Sequence, residues 1–154
     1  MSSRLTLQSL AVVVLASCSS ENDLSLPAPP AGYPTAYATR DCAPADGPAV
    51  RLYLAAEPSE ALPPPAPFVD VAIWQGVNAI SNELFEWNGA SNDGSARRCV
   101  TAEACESASQ VIVRFRPIGA DTAITGTVTL TFGDGSIVTG GFNAAWRPRT
   151  VLCG

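Results

Sequence analysis

Residues 124–146 read ITGTVTLTFGDGSIVTGGFNAAW. Val128, Leu130 and Phe132 alternate with Thr127, Thr129 and Thr131, the two-residue period of a strand with one buried and one wetted face. Gly133-Asp134-Gly135 supplies a tight reversal, since glycine enters turn conformations that a Cβ disfavours. Ser136–Trp146 then returns as the second strand of a hairpin. The period before Gly140-Gly141 does not mesh with the period after it, which predicts a β-bulge at the pair.

Upstream the same alternation recurs in short runs. Val50, Leu52 and Leu54 share a face, as do Val69, Val71 and Ile73 in the run Phe68–Trp74. Phe85 and Trp87 form a third pair, and Val111, Val113 and Phe115 oppose Arg114 and Arg116. A further strand passes through Cys99, followed by a small loop at 102–109. Val77, Ile80 and Leu84 suit either a short helix or an irregular link. Residues 57–67, EPSEALPPPAP, read as a proline-rich loop, and Asn88–Gly94 as a turn cluster. Short strands separated by turn signals predict an all-β domain, a small antiparallel sandwich or barrel of about six to eight strands.

The first twenty residues, MSSRLTLQSLAVVVLASCSS, carry one charge, Arg4, ahead of an apolar run too short to cross a bilayer as a helix. They have the layout of a secretory signal. Leu15-Ala16-Ser17-Cys18 resembles the bacterial lipobox. That resemblance implies a bacterial lipoprotein precursor, cleaved before Cys18, with diacylglycerol on the Cys18 thiol and often an acyl chain such as palmitate on the new amino group. Ser19, not Asp, follows the cysteine, which in Gram-negative lipoproteins resembles cargo passed to the outer membrane; otherwise the outer face of the cell membrane is implied. The expected organisation is a signal peptide over 1–17, a lipidated Pro/Ser-rich tether over 18–40 that includes Tyr33 and Tyr37, and a β-rich domain over 41–154.

Cys42, Cys99, Cys105 and Cys153 remain, an even number that reads as two disulfides in an exported chain. Three pairings are possible. The favoured one makes Cys99–Cys105 a local staple and Cys42–Cys153 a tie between the ends of the domain.

Composition narrows the chemistry. The nine basic residues are all arginine, there is no histidine, and fourteen acids leave a net charge of −5, or −6 once Arg4 departs with the signal. This acidic balance without a basic cluster argues against nucleic acid as a partner. Lack of His and Lys removes Ser-His-Asp and Cys-His sites, Ser-Lys dyads and Schiff bases. Carboxylate catalysis needs two acids held across a substrate, one of them buried. Glu83 and Glu86 fall on opposite faces of a strand, while Glu57/Glu60 and Glu103/Glu106 sit in loops. Asp93 and Asp134 suit turn chemistry better than calcium. No catalytic residue, metal or cofactor is therefore expected.

One candidate ligand site emerges. If Val69, Val71 and Ile73 face the core, Phe68 and Trp74 flank Asp70 near the outer face, where aromatics beside an acid could stack on a glycan or anchor an envelope protein. The alternative is that the tether or the proline-rich loop covers them. Trp87 and Trp146 are expected in the core. The expected function is a membrane-anchored envelope lipoprotein with a non-catalytic structural or protein-interaction domain; a small-ligand or glycan-binding module is the alternative, and a carboxylate hydrolase a more distant one.

Overall fold

A computed structural model describes residues 25–119 and 123–153. The signal peptide, Cys18 and the start of the tether lie outside the described residues. Among the described residues eight strands are present: β1 (Thr35–Cys42), β2 (Pro48–Ala55), β3 (Phe68–Ile73), β4 (Leu84–Asn88), β5 (Gly94–Cys99), β6 (Cys105–Phe115), β7 (Ala123–Phe132) and β8 (Ile137–Trp146). Among the described residues there is no helix.

Seven strands close a barrel in the ring order β1-β2-β3-β5-β6-β7-β8. β4 is extra. β5 pairs with the start of β6 through Arg97–Cys99, and β4 takes over the same edge further along, opposite Gln110–Arg114. Strands joined by reversals alternate in direction, and an odd ring cannot alternate all the way round. One neighbouring pair must run parallel, and it is β1–β8, through Ala36–Ala38 beside Ala144–Trp146. The other pairings are antiparallel.

The interior is filled by the alternating residues. Leu52, Leu54, Val71, Ile73, Val113 and Leu130 are essentially inaccessible, as a barrel with so few strands requires. Phe115 packs edge-to-face between Phe85 and Phe142, with centroids 5.9 Å away on each side. Trp87 is buried with them.

A second apolar layer lies outside the wall. Tyr37, Tyr53 and Phe68 project outward from β1, β2 and β3 and are roofed by Leu62 and Ala66 of the proline-rich loop. That loop lacks N–H groups at its prolines, so it can lie on ring faces with few donors left to satisfy. Where it retains one, the Ser59 N–H donates to the Tyr37 hydroxyl at 2.7 Å. Arg147 stacks over the Tyr37 ring at 4.1 Å and reaches Glu60 at 3.5 Å. Both disulfides have the favoured pairing: Cys99 and Cys105 are direct partners across β5–β6, and Cys42 joins the end of β1 to Cys153 beyond β8.

Three expectations are corrected, and one open segment is settled. The folded unit begins before residue 41, because Thr35–Cys42 is a complete strand and Pro30, Tyr37 and Ala38 are buried. Residues 77–82, left open by the sequence, form turns, held by Ala79 N–H to Gly76 and Glu83 N–H to Ile80. The loop after Cys99 is shorter than 102–109, since β6 starts at Cys105. Gly140-Gly141 is no bulge: β7–β8 register runs unbroken through Thr127–Gly141 and Val128–Gly140, and the irregularity falls at Ala108/Gln110 of β6. The glycines instead admit the segment before β1. A Cβ at Gly140 would lie 2.5 Å from the Pro30 nitrogen, and one at Gly141 2.3 Å from the Pro27 carbonyl oxygen, while the Gly141 N–H donates to the Ala28 carbonyl at 2.9 Å.

Gly140→Ala and Gly141→Ala are each expected to destabilise the barrel by about 1–3 kcal/mol, the usual range for overpacking. Gly119→Ala, where a Cβ meets nothing within 4 Å, should be close to neutral. Urea denaturation midpoints of the three variants check this.

Candidate functional site

The outer face of β3 carries the residues singled out from the sequence. Alternation does place Phe68 and Asp70 there, yet neither is available to a ligand: Phe68 is 4% and Asp70 1% exposed. Phe68 lies under the proline-rich loop, edge-on to Tyr53 at 6.1 Å. Asp70 is held between two arginines from the flanking strands, with Arg97 Nε 2.8 Å from Oδ2 and Arg51 Nη1 3.4 Å from Oδ1. Arg51 also pairs with Asp41. The carboxylate thus ties β2, β3 and β5 together across the wall. Trp74 follows the end of β3, half-buried, with its backbone N–H donating to the Asp93 carbonyl at 2.9 Å. The sheet does not bring the three into one exposed patch.

The remaining acids serve the turns. Asp134 accepts from both the N–H and the hydroxyl of Ser136 and from Arg98, 3.1 Å away. The Ser136 hydroxyl first, then its N–H, then Arg98 hold the Asp134 pKa down at about 2. Arg98 also binds Glu106 at 2.7 Å and stacks over Phe132 at 4.3 Å, and Glu106 accepts the Gly133 N–H. Glu57, Glu60, Glu83, Glu86 and Glu103 are exposed. Among the described residues no three His, Cys, Asp or Glu side chains are grouped closely enough to hold a metal ion.

The concave surface lies instead at one rim of the barrel, beyond the C-terminal ends of β1 and β8. Strand parity points Ala36, Ala38 and then Arg40 toward the barrel axis, and on β8 it does the same for Phe142, Ala144 and then Trp146. The inner side chains below are enclosed, whereas these two stand at the last layer, where the ring no longer surrounds them. A cleft of about 560 Å³ opens there, walled by Arg40, Trp146, Val77, Asn78, Ser81 and Ile118. A second lobe of similar volume continues past Arg40 and Asn78 toward Asp41, Pro48 and Gln75. The 74–83 loop divides the lobes; Ile80 anchors it in the core and the Ser81 hydroxyl accepts the Ile118 N–H at 3.0 Å.

The sequence places Arg40 in the tether and Trp146 in the core; the fold puts Arg40 in β1 and leaves Trp146 half-buried against the core. The signal that could have found them is parity: Arg40 continues the Ala36-Ala38 inner row, and Trp146 ends the inner row of β8. Arg40 is exposed and forms no ion pair among the described residues, in contrast to Arg51, Arg97, Arg98 and Arg147.

Asp70→Asn should cost about 2–3 kcal/mol, because it leaves Arg51 and Arg97 without their shared buried counter-charge while both retain some contact with water. A shift in thermal midpoint measures it. For Asp134, the folded pKa of about 2 lies below the ordinary 3.8. Its support of the turn is therefore full above the ordinary value and fades as pH falls through about 2. Carboxyl NMR titration should show Asp134 still ionised near pH 3, and Ser136→Ala should raise its midpoint.

Comparison of the chain with protein-family models, curated proteins and solved structures yields no match.

Proposed function

We propose that the chain is exported, acylated on Cys18 and held at an envelope membrane as a non-catalytic barrel that presents its surface to envelope proteins or glycans. The observation carrying this reading is the division of the five cysteines. Four close in pairs within the barrel, as suits an oxidising compartment. The fifth, Cys18, stands apart in the lipobox-like Leu15-Ala16-Ser17-Cys18. Two or three acyl chains, at roughly 0.8 kcal/mol per buried methylene, give durable anchoring. In a Gram-negative cell the membrane is the outer one, by the Ser19 reading.

The docked segment shortens the tether. Packing against the barrel already begins at Pro27, so at about 3.3 Å per extended residue the lipid lies within about 30 Å of the fold. The chain enters β1 at its N-terminal end, and the rim cleft opens beyond its C-terminal end. The non-catalytic assignment is supported by the lack of His and Lys and by the engagement of Asp70, Glu106 and Asp134 in ion pairs.

Cys18→Ala is expected to leave the barrel folded and to move it from the membrane to the soluble fraction, with loss of metabolic palmitate labelling. Retention of the variant in membranes after high-salt washing would refute the anchor.

A further inference from the structure

We infer that the rim cleft is a binding site for a small organic anion: a carboxylate on a ring with one apolar face. The argument rests on Arg40 and Trp146. The lobe they share has the volume of a small-molecule site, at the mouth of a β-barrel, a common location for one. Arg40 supplies a planar fork of donors suited to a carboxylate. Its guanidinium forms no ion pair among the described residues, although acids outnumber bases in the chain. Trp146 supplies a half-buried indole, and Val77 and Ile118 extend the apolar side. Asn78 is exposed at the junction of the lobes and can hydrogen-bond a ring hydroxyl.

Charge selects the sign of the ligand. The acid next to Arg40 in the chain, Asp41, is engaged by Arg51, which leaves Arg40 as the unpaired charge lining the cleft among the described residues. At physiological salt the acids elsewhere are screened beyond about 8 Å. Two sources fit this chemistry: a uronic acid of an envelope glycan, whose ring has a C–H face for the indole, and an aromatic carboxylate.

The test uses the exported full-length chain in detergent, with the three tryptophan indole resonances followed by NMR. The probes are glucuronate, benzoate and their uncharged counterparts glucose and benzyl alcohol. Glucuronate or benzoate should shift the Trp146 resonance with a Kd of about 1 mM or tighter, as expected for ligands of this size. The uncharged partner should bind at least tenfold more weakly, and Trp74 and Trp87 should not respond. Response to glucuronate alone assigns the cleft to acidic sugars, and response to benzoate alone to aryl acids. Arg40→Gln alters an exposed side chain, leaves the fold intact and should weaken binding about tenfold or more. No shift of Trp146 with either acid, or equal binding by Arg40→Gln, overturns the proposal. The readout does not depend on acylation, so its failure leaves the anchor reading untouched, and failure of the anchor leaves this one.

Discussion

The barrel depends on its seam, the pairing of β1 with β8. Opened there, the ring becomes a twisted sheet with two unpaired edges, each a row of backbone donors and acceptors open to a neighbouring chain. The odd strand count makes this pairing parallel, and it is short, with three Cα partners against eight for β1–β2. Two other features reinforce it. Upstream of β1, the Ala28 carbonyl takes the Gly141 N–H on the stretch of β8 that β1 does not reach. Beyond β8, Cys153 is bonded to Cys42 at the end of β1. A cross-link over a separation of 111 residues stabilises by about 4–5 kcal/mol in the chain-entropy view. A short pairing thus receives the long-range covalent bond, and the Gly140-Gly141 pair lets the segment before β1 approach.

The outer wall is divided in two. Over β1, β2, β3 and β5, Tyr37, Tyr53 and Phe68 form a second apolar layer beneath the proline-rich loop, with Asp70 clamped beside them by Arg51 and Arg97. Over β7 the outward residues are mainly threonines, and Thr129 hydrogen-bonds Thr139 of β8 at 2.8 Å across the strands. The roofed half is closed to solvent, and the concave surface lies at the rim. There the ends of β1 and β8 leave Arg40 and Trp146 at the last layer of the interior, half inside the barrel and half in water.

Much of this was legible in the residues. The β7–β8 hairpin and the inward rows Val50-Leu52-Leu54 and Val69-Val71-Ile73 follow from alternation, and the favoured one of three cysteine pairings is the one that forms. β1 escaped notice because its inward residues are Ala36 and Ala38. They are small enough to sit where the wall is crowded, and too weakly hydrophobic to announce a strand beside a proline-rich stretch. The glycine pair was misread for a related reason. A missing Cβ can signal a local distortion or the close passage of a distant segment, and only the position of Pro27–Pro30 distinguishes the two.

The sequence by itself determined the strand periods and the all-β class, since each depends on neighbours a few residues apart or on simple parity, whereas the choice among three cysteine pairings waited on the fold. Tertiary structure decided what lies on the far side of each strand. Phe68 and Asp70 face outward as their period demands, and are buried because a loop and two arginines from elsewhere in the chain cover them. Arg40 and Trp146 face inward, and are accessible because the ring ends there. Alternation specifies a direction, whereas exposure depends on what the rest of the chain brings to that place.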